Sequence, residues 1–473
     1  MSTPDFLVMA LYFAAVLAIG AHFARTTRDA EGYFLGRHQI PWWAVMFSIV
    51  ATETSALTVI SIPGIGARTN FTFLQVAIGY LIGRIGVSIW LLPGYFHGEQ
   101  QTAYARLESR FGPETRRVAS AVFMIIRSLG DSVRVFATAI PLTIVTGWST
   151  LTSVLVVVAV TLAYTWAGGL RAVIWVDVMQ LAIYTLGGIA TIIVAASLAG
   201  GIDIATQQAA NAGRLQVFDW SLSFTVPYTF AAGLIGGALL SAASHGTDHL
   251  IVQRVLATSS LAHARRALIG SGILVIGQFA LFLFVGAMLF AAGADRGDAS
   301  DTIYPLFVVN HLPAGLAGLV VAGILAAAMS TISSSLNSLA SATTHDFYGP
   351  LTAAKPHTLL KAGRLATVLW AVVLAGGALA FRSDQPVVEL ALSIASITYG
   401  SLLGTYILAG VTQRLQQRDA IVAIVMSAAV MVVIVLIKPW PFEALAWPWY
   451  VPLGTIITLA VGLASGTISS RRS

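Results

Sequence analysis

Residues 325–348 read LAAAMSTISSSLNSLASATTHDFY and are rich in hydroxyl side chains, although they follow a purely apolar run at residues 316–325. No Gly or Pro interrupts them, so the pattern predicts a helix that continues through all of these residues. Residues three and four apart are neighbours on a helix surface, which predicts one polar face. That face carries Ser330, Ser333, Ser334, Asn337, Ser338 and Ser341.

The polar face has two interpretations. A single Ser inside a membrane commonly bonds back to the carbonyl four residues earlier, and small residues also let helices pack closely. Hard cations such as sodium, in contrast, are held by several neutral or anionic oxygen atoms. Because the polar residues cluster here, the sequence favours a cation site over a packing seam.

The composition places this helix in a membrane. Of the 473 residues, 57% are hydrophobic and 10% are charged, and the mean hydropathy is +0.83, which predicts an all-α polytopic membrane protein. The sequence contains no Cys, which excludes disulfides and thiolate chemistry. The net charge of +6 comes mostly from loops between apolar segments, which indicates membrane topology and not binding of nucleic acid. No sequence motif points to ATP hydrolysis or another enzymatic activity.

Apolar segments recur along the chain, and each span of a bilayer needs roughly 17 to 25 residues. The sequence predicts about thirteen spans, which places the two termini on opposite sides of the membrane. The first span lacks the features of a cleaved signal peptide, so we expect it to be retained. The predicted spans are 4–24, 43–67, 71–94, 116–141, 150–167, 172–199, 223–245, 267–292, 309–341, 362–381, 387–410, 420–437 and 447–465.

The Lys and Arg residues of the loops predict the orientation, because cytoplasmic loops are enriched in them. We expect the N-terminus outside and the C-terminus in the cytoplasm of a multi-pass protein in the inner (plasma) membrane. The cytoplasmic side carries most of these residues, from Arg25 and Arg28 through Arg254, Arg265 and Arg266 to Arg471 and Arg472. The opposite side has Arg68, Arg214, Arg296, Arg382 and Lys438, together with Asp295, Asp298 and Asp301.

The second predicted span, residues 43–67, is polar at its centre, where a plain membrane helix would be apolar. Glu53 lies among Thr and Ser residues there, and an intramembrane carboxylate indicates a functional site. The alternative is a structural Glu53 that is protonated or paired with a buried Arg. Broken helices of secondary transporters expose carbonyl groups near the bilayer midplane, where these groups bind cations. In this chain we expect Ala51 and Thr54 to provide such carbonyl groups.

Other charged side chains fall inside predicted spans and need partners. Arg84 needs a carboxylate or water, and Arg127 can pair with Asp131 four residues later, which leaves Arg134 or a released Arg127 for an anionic solute. Asp177 has no basic neighbour at helical spacing, so a shared sodium ion or a distant Arg must balance it. The Gly-rich span 223–245 predicts a second interrupted helix. It ends near His245 and His249, which we expect to be solvated loop residues.

The order of these motifs resembles the sodium:solute symporter family, whose members include bacterial sialic acid, galactose and proline transporters. The resemblance covers almost the whole chain. Its motifs are YFLGRHQIPWWAV at 33–45, ATETSALTVISIPG at 51–64, TAYARLESRFG at 102–112, GGLRAVIWVDVMQ at 168–180, TDHLIVQRVLA at 247–257 and AAAMSTISSSLNSLASATTHDFY at 326–348.

The resemblance implies a LeuT-like core of two inverted five-helix repeats, with one extra N-terminal helix and two extra C-terminal helices. The chain would then be a single transmembrane transporter domain spanning residues 1–473. Its parts would be the N-terminal helix and loop at 1–42, the first repeat at 43–199, the second repeat at 223–410 and the C-terminal helices at 411–473.

The resemblance also implies the ion sites. A common sodium site would comprise the carbonyls of Ala51, Thr54 and Ala327 with the hydroxyls of Ser330 and Thr331. The sialic acid transporters imply a second site, formed here by Asp177, Ser330, Ser333 and Ser334. Proline transporters have Asp where this chain has Glu53, which implies a coupling or gating role for that residue.

The solute site implied by the resemblance lies beside the break in span 43–67. The Arg that binds the carboxylate in sialic acid transporters aligns with Gly130, while Arg127 and Arg134 lie one turn to either side. The solute is therefore open between a sugar and a carboxylate-bearing molecule. The candidate solute-binding residues are Thr58, Ser61, Gln75, Arg127, Arg134, Asp248 and Tyr399.

We therefore expect a sodium-coupled importer of a small organic solute that works by alternating access. Two alternatives stay open: a proton carried by Glu53 or Asp177 replaces sodium, or the protein is a membrane solute sensor that works with a separate signalling partner. A channel fits least, because the polar residues cluster at breaks and do not line a continuous stripe. The sequence does not indicate an oligomeric state.

Overall fold

The computed structural model describes residues 2–97, 100–295, 297, 299–381 and 387–470, and these residues are almost entirely helical, without a β-strand. Arg296, Asp298, Arg382, Arg471 and Arg472, which the predicted orientation used, lie outside the described residues. The helices are α1 (Thr3–Ala24), α2 (Ala30–Leu35), α3 (Trp42–Glu53), α4 (Ala56–Arg68), α5 (Leu74–Trp90), α6 (Leu92–Tyr95), α7 (Ala105–Phe111), α8 (Pro113–Thr146), α9 (Thr150–Leu198), α10 (Ile202–Asn211), α11 (Gly237–Gly246), α12 (His249–Leu256), α13 (Leu261–Ala291), α14 (Ser300–His311), α15 (Leu316–Ala342), α16 (Gly349–Thr352), α17 (Pro356–Ala380), α18 (Val387–Val411), α19 (Gln417–Ile437) and α20 (Tyr450–Ser470).

Eight of the described helices are long and apolar enough to cross a membrane, or nine if the bent pair α3 and α4 forms one span. The fold is therefore that of a multi-pass helical membrane protein, while the count of about thirteen spans stays a prediction. Interrupted helices lower the count, because α11 and α12 have 10 and 8 residues and neither is long enough alone. Helix α5 has 17 residues, which is at the lower limit for a span.

Two predicted interruptions are present. Helix α3 ends at Glu53 and α4 begins at Ala56, with a bend of 63° between their axes. Thr54 lies at this break with φ −79° and ψ 80°, which are not helical angles. The second interruption separates α11 from α12, where the Asp248 carboxylate caps the new helix by accepting the Leu250 N–H at 2.9 Å.

Two predicted boundaries were wrong. The span predicted at 309–341 combines the end of α14 with α15, because Pro313 and Gly315, whose φ is +87°, separate the two helices. The span predicted at 223–245 begins later, since residues 223–229 are irregular and a π-helical turn at Ala232–Gly236 leads into α11. In both cases apolar residues continue into a segment that is not helical, so composition alone does not mark where the helix begins.

Helix α15, which contains the hydroxyl-rich segment, lies in the core of the bundle, and nearly all of its residues are buried. It packs against α9 and α8, on the N-terminal α1, and on both halves of the broken helix α3–α4. Its small residues permit this close approach. At Gly323, for example, an added Cβ would come within 3.0 Å of the Tyr184 Cα. The predicted continuous helix is confirmed, and a π-helical turn at Thr343–Tyr348 extends it.

Helix α9 is broken inside its 49 residues at Gly169. Gly169 has φ +59° and ψ −154°, a backbone conformation that is open only to Gly. An added Cβ would also lie 2.4 Å from the Tyr33 carbonyl oxygen. The turn between the predicted spans 150–167 and 172–199 is therefore confirmed, and it depends on this Gly.

We expect Gly169→Ala to destabilise the protein by at least about 1–3 kcal/mol, because the backbone strain alone has this size. The measurement is the free energy of unfolding in mild detergent. Gly86→Ala is the matched control, since Gly86 lies within α5 and an added Cβ would meet no atom of the described residues within 4 Å beyond the backbone of its own helix. That substitution should be neutral or stabilising, because Ala has the higher helix propensity. Equal losses for both variants would contradict the prediction.

Candidate ion and solute site

A cavity lies beside the break between α3 and α4. Helices from widely separated parts of the chain contribute to its wall, and its surface combines charged, aromatic and hydroxyl side chains. The lining residues are Thr52, Glu53, Ser55, Thr58, Ile62, Phe73, Tyr80, Arg127, Arg134, Leu240, Ser244, His245, Leu250, Ile251, Phe279, Thr331, Ala395 and Tyr399.

The break changes the hydrogen bonds of the main chain. In a continuous helix the Ser55 N–H would donate to the Ala51 carbonyl, but here it donates to the Glu53 carbonyl at 3.0 Å. The Ala51 carbonyl therefore loses its helical donor. Such unwound carbonyl groups are the cation ligands of broken transporter helices. Ala51 and Thr54 thus lie at a break of the predicted kind.

Hydroxyl groups of α15 contact this break directly. The Thr331 hydroxyl donates to the Thr52 carbonyl and to the Ala327 carbonyl, with both distances 3.3 Å. The hydroxyl oxygens of Thr52 and Ser334 lie 3.1 Å apart. The structure therefore brings α3 and the predicted ligands on α15 together in one buried cluster of oxygen atoms.

Asp177 on α9 lies in a second part of the same polar cluster and is fully buried. Its carboxylate accepts hydrogen bonds from Ser330 at 2.7 Å and from Ser48 at 2.5 Å. The distant basic partner is Arg254 on α12, whose Nη2 lies 3.3 Å from Asp177 Oδ2. Of the two partners that the sequence left open for Asp177, the structure contains the Arg.

Arg254 was counted with the cytoplasmic loop residues, and this assignment was wrong, because its side chain is fully buried. The guanidinium also donates to Ser334, to Ser48 at 2.9 Å and to the Leu250 carbonyl at 2.8 Å. The hydroxyls of Ser333 and Ser334 both donate to the Ser330 carbonyl, at 3.0 and 2.6 Å, and the Ser334 hydroxyl also accepts from Arg254. Ser330 and Ser334 therefore join the Asp177 cluster through their side chains, while the Ser333 hydroxyl bonds to its own helix.

The predicted ion pair of Arg127 and Asp131 on α8 is present, but both Arg127 and Arg134 have further partners. Arg134, expected to be unpaired, donates to Asp131 at 2.6 Å, and Arg127 is 3.5 Å from the same carboxylate. Arg127 forms a closer ion pair with Asp248 and lies 3.4 Å from the Tyr399 hydroxyl, which itself donates to Asp248 at 2.9 Å. These long-range partners come from α18 and the α11–α12 break, so no spacing along α8 could reveal them.

Glu53 forms an ion pair with Arg84 of α5, whose side chain is fully buried. This is the structural partner that the sequence left open for Glu53, and it supplies the carboxylate that Arg84 required. Arg84 also donates to the Ser271 hydroxyl at 2.7 Å. Glu53 nevertheless lines the cavity. It can therefore act at the cavity surface while it is paired with Arg84.

The prediction of solvated histidines was wrong, because His245 and His249 are 4% and 0% exposed. His245 lines the cavity, with Nε2 3.7 Å from Glu53 Oε2. His249 Nε2 lies 3.0 Å from the Ser341 hydroxyl. The interruption between α11 and α12 is buried in the bundle, so its polar residues are buried too. The predicted interruption was the one sequence signal that could have indicated this.

Three predicted solute residues do not line the cavity. Gln75 donates to the carbonyls of Thr72 and Tyr228 at 3.1 and 2.9 Å, so its amide holds main-chain groups. Ser61 is buried within α4. Asp248 lies behind Arg127, in a smaller cavity next to the first. Thr58, Arg127, Arg134 and Tyr399 do line the main cavity.

The proteins to which this chain is similar are sodium-coupled transporters. Residues 33–435 match the model of the sodium:solute symporter family. The sodium/sialic acid symporter NanT of Aliivibrio fischeri is 28% identical over 480 residues, which cover 97% of this chain and 92% of that protein. Sodium-coupled monocarboxylate transporter 2 of Homo sapiens is 28% identical over 421 residues, which cover 85% of this chain and 67% of that protein.

A solved structure has the same fold. It is described as the substrate-bound outward-open state of a Na+-coupled sialic acid symporter, and it superposes with a TM-score of 0.89 at 26% sequence identity. The superposition covers 99% of this chain and 98% of that chain. The helix arrangement around the cavity is thus shared over nearly the full length.

Proposed function

Because the chain belongs to the sodium:solute symporter family, we propose that it imports a small organic solute together with sodium by alternating access. Family membership makes the protein a sodium-coupled membrane transporter and not an enzyme. The observation that carries the proposal is the break between α3 and α4, which contacts the hydroxyl groups of α15 at the cavity.

We propose the LeuT-like arrangement of about thirteen spans, with inverted repeats at 43–199 and 223–410 inside a single transporter domain. The two interrupted helices support it, because α3–α4 opens the first repeat and α11–α12 opens the second. The N-terminal helix at 1–42 and the helices at 411–473 lie outside the repeats. The proposed orientation has the N-terminus outside and the C-terminus in the cytoplasm of the plasma membrane.

The proposed sodium site consists of the carbonyls of Ala51, Thr54 and Ala327 with the hydroxyls of Ser330 and Thr331. The donor set fits sodium, because all five ligands are oxygen atoms. Thr331 already joins the Ala327 carbonyl to the main chain of α3, so the two helices approach closely enough to share an ion. Sodium bound there would link α15 to the break, which moves in the alternating-access cycle.

A second sodium site at Asp177, Ser330, Ser333 and Ser334 is a separate proposal. Arg254 competes with sodium for this site, because its guanidinium already provides a positive charge to Asp177 and donates to Ser334. A sodium ion that binds Asp177 through Oδ2 would have to replace the Arg254 contact. The structure therefore supports the common site more strongly than the second one.

We propose that the solute occupies the cavity and that Arg134 and Arg127 attract its anionic group. Both guanidinium groups line the wall, and the names of the two relatives reported above refer to acids. A carboxylate is the group that a guanidinium binds in bidentate form. Thr58 and Tyr399 provide hydroxyl groups on neighbouring walls. A carboxylate-bearing solute is thus favoured over a neutral sugar.

Alternating access requires contacts that break and re-form at the ends of the cavity helices. One such set joins the end of α15 to α7 and α8. Asp346 accepts hydrogen bonds from Arg116 Nε at 2.7 Å and from Thr102 at 2.6 Å, and Arg116 also pairs with Glu108 at 2.6 Å. We propose that these contacts hold the end of α15 against α7 and α8 and that they change during the transport cycle.

Sodium and solute binding are coupled, so each ligand raises the affinity of the other by the same factor. The membrane potential adds about 2.3 kcal/mol per 100 mV for each positive charge that moves inward. A sodium gradient can therefore drive uptake against the solute gradient.

The test is sodium-dependent thermal stabilisation of the purified protein by a panel of sugars and organic acids, followed by uptake of each hit into proteoliposomes. We expect accumulation with an inward sodium gradient and none when potassium or choline replaces sodium. Uptake driven by a proton gradient without sodium would support the proton-coupled alternative. Solute binding without any uptake would support the sensor alternative.

A further inference from the structure

The cavity has a second polar region, formed by His245 and Glu53, that the proposed function does not use. His245 is only 4% exposed, and it lines the cavity. Its Nε2 has no hydrogen-bond partner within the described part of the chain, since Glu53 Oε2 is 3.7 Å away. A buried polar atom without a partner costs free energy, so this nitrogen is placed to meet a ligand.

Glu53 is held rigidly beside this imidazole. The contacts of its carboxylate with Arg84 and His245 run through Oε2, and in the described residues no hydrogen bond reaches Oε1. Arg84 is itself fixed by Ser271 at 2.7 Å. The buried guanidinium balances the charge of Glu53, so the region as a whole is neutral.

The neighbours of His245 indicate which ring nitrogen carries the proton. A carboxylate oxygen can only accept hydrogen bonds, so Glu53 favours the tautomer with the proton on Nε2. Nδ1 then accepts from the Ser244 hydroxyl, which lies 2.8 Å away. The region presents one donor, His245 Nε2–H, close to one acceptor, Glu53 Oε1.

A hydroxyl group matches this pair, because it donates one hydrogen bond and accepts another. An ammonium group matches it poorly, since an ammonium only donates and would meet the His245 N–H and the positive charge of Arg84. A methyl group would leave both protein atoms without partners. The region therefore selects a hydroxyl among groups of similar size.

We propose that His245 and Glu53 recognise a hydroxyl group of the solute, which makes the solute a hydroxylated carboxylic acid. This inference rests on the proposed function for the anionic group, which Arg134 and Arg127 would hold at their own part of the wall. Apolar side chains line the rest of the cavity, among them Ile62, Phe73 and Phe279. The solute class is thus defined by two polar regions and an apolar wall.

Two matched series of acids test the hydroxyl preference. The first is 4-hydroxybutyrate, butyrate and 4-aminobutyrate, and the second is 6-hydroxyhexanoate, hexanoate and 6-aminohexanoate. In each experiment the half-saturating concentration for thermal stabilisation is measured in sodium. We expect the hydroxylated acid to bind about tenfold or more tightly than its partners in at least one series, because a site built for a hydroxyl rejects analogues that lack it.

Variants of His245 connect the preference to this residue. His245→Phe should weaken the hydroxylated acid about tenfold and leave the unsubstituted acid unchanged. His245→Gln, which retains an N–H donor, should recover part of the affinity. His22→Phe is the matched control, because His22 is exposed on α1, and it should change nothing.

Three results would overturn the inference: equal or tighter binding of the amino or unsubstituted acids in both series, no stabilisation by either hydroxylated acid, or an equal loss for all acids in His245→Phe. The proposed function is judged separately, by stabilisation with sodium alone and its loss in Ser330→Ala. If sodium still stabilises the protein while the hydroxyl preference is absent, only the assignment of His245 and Glu53 is wrong.

Discussion

Asp177→Asn is expected to lower the free energy of unfolding by about 3–5 kcal/mol, the usual cost of removing one partner from a buried ion pair. Arg254 would keep its charge in a fully buried position, where Asp177 provides the opposite charge within 3.3 Å. Ser48 and Ser330 would also lose the carboxylate that accepts their hydrogen bonds. Chemical unfolding of the purified protein in mild detergent measures the effect.

The double variant Asp177→Asn with Arg254→Met tests whether the unpaired charge of Arg254 causes the loss of stability. Replacing both members of a buried pair is often close to neutral, so most of the lost stability should return. Asp203→Asn is the control for loss of a carboxylate, because Asp203 is exposed on α10 and its replacement should change stability by less than about 0.5 kcal/mol. A double variant as unstable as Asp177→Asn would show that the ion pair is not the cause.

Ser330→Ala and Thr331→Ala are each expected to raise the sodium concentration for half-maximal uptake by about tenfold, equivalent to ~1.4 kcal/mol. Each substitution removes one of the five oxygen atoms in the proposed common site. Thr331→Ala also removes the link from α15 to the Thr52 carbonyl. Sodium titration of solute uptake in proteoliposomes is the measurement, and the maximal rate in saturating sodium should fall less than the affinity.

Two further variants make this result specific. Thr331→Ser keeps the hydroxyl and should retain most of the sodium affinity. Ser338→Ala removes a hydroxyl from the same helix as a matched control, because within the described residues the Ser338 hydroxyl bonds back only to the Ser335 carbonyl, at 3.2 Å. It should leave the sodium dependence unchanged. If Ser338→Ala and Thr331→Ala shift the dependence equally, the site assignment is wrong.

Several elements of the site could be predicted because their signal is local. Glu53 and Asp177 are anomalous in apolar segments, and a charge in a membrane requires a partner, so both were recognised without a structure. The break after Glu53 follows from polar residues in the middle of a span. The hydroxyl face of α15 follows from helical periodicity alone.

The partners of these residues could not be predicted from spacing. Arg127 pairs with Asp131 as predicted, but its closer ion pair is with Asp248, which is 121 positions away along the chain. Arg254 follows a predicted helix end and therefore resembles a loop residue in the sequence, but it lies within α12. The burial of His245 could not be predicted either, because a polar sequence at a helix break is the same whether the break lies in solvent or inside the bundle.

The amino-acid sequence by itself determined that the chain is a helical membrane protein, that a helix breaks after Glu53, and that Glu53 and Asp177 fall within apolar segments. These properties depend on hydropathy and on the periodicity of one helix, which neighbouring residues encode. Only the tertiary structure decided that Asp177 pairs with Arg254, that Glu53 pairs with Arg84, and that His245 lines the cavity. Such contacts join helices far apart in the chain. For Asp177 and Arg254, the packing of α9 and α12 against the small residues of α15 brings the two helices together.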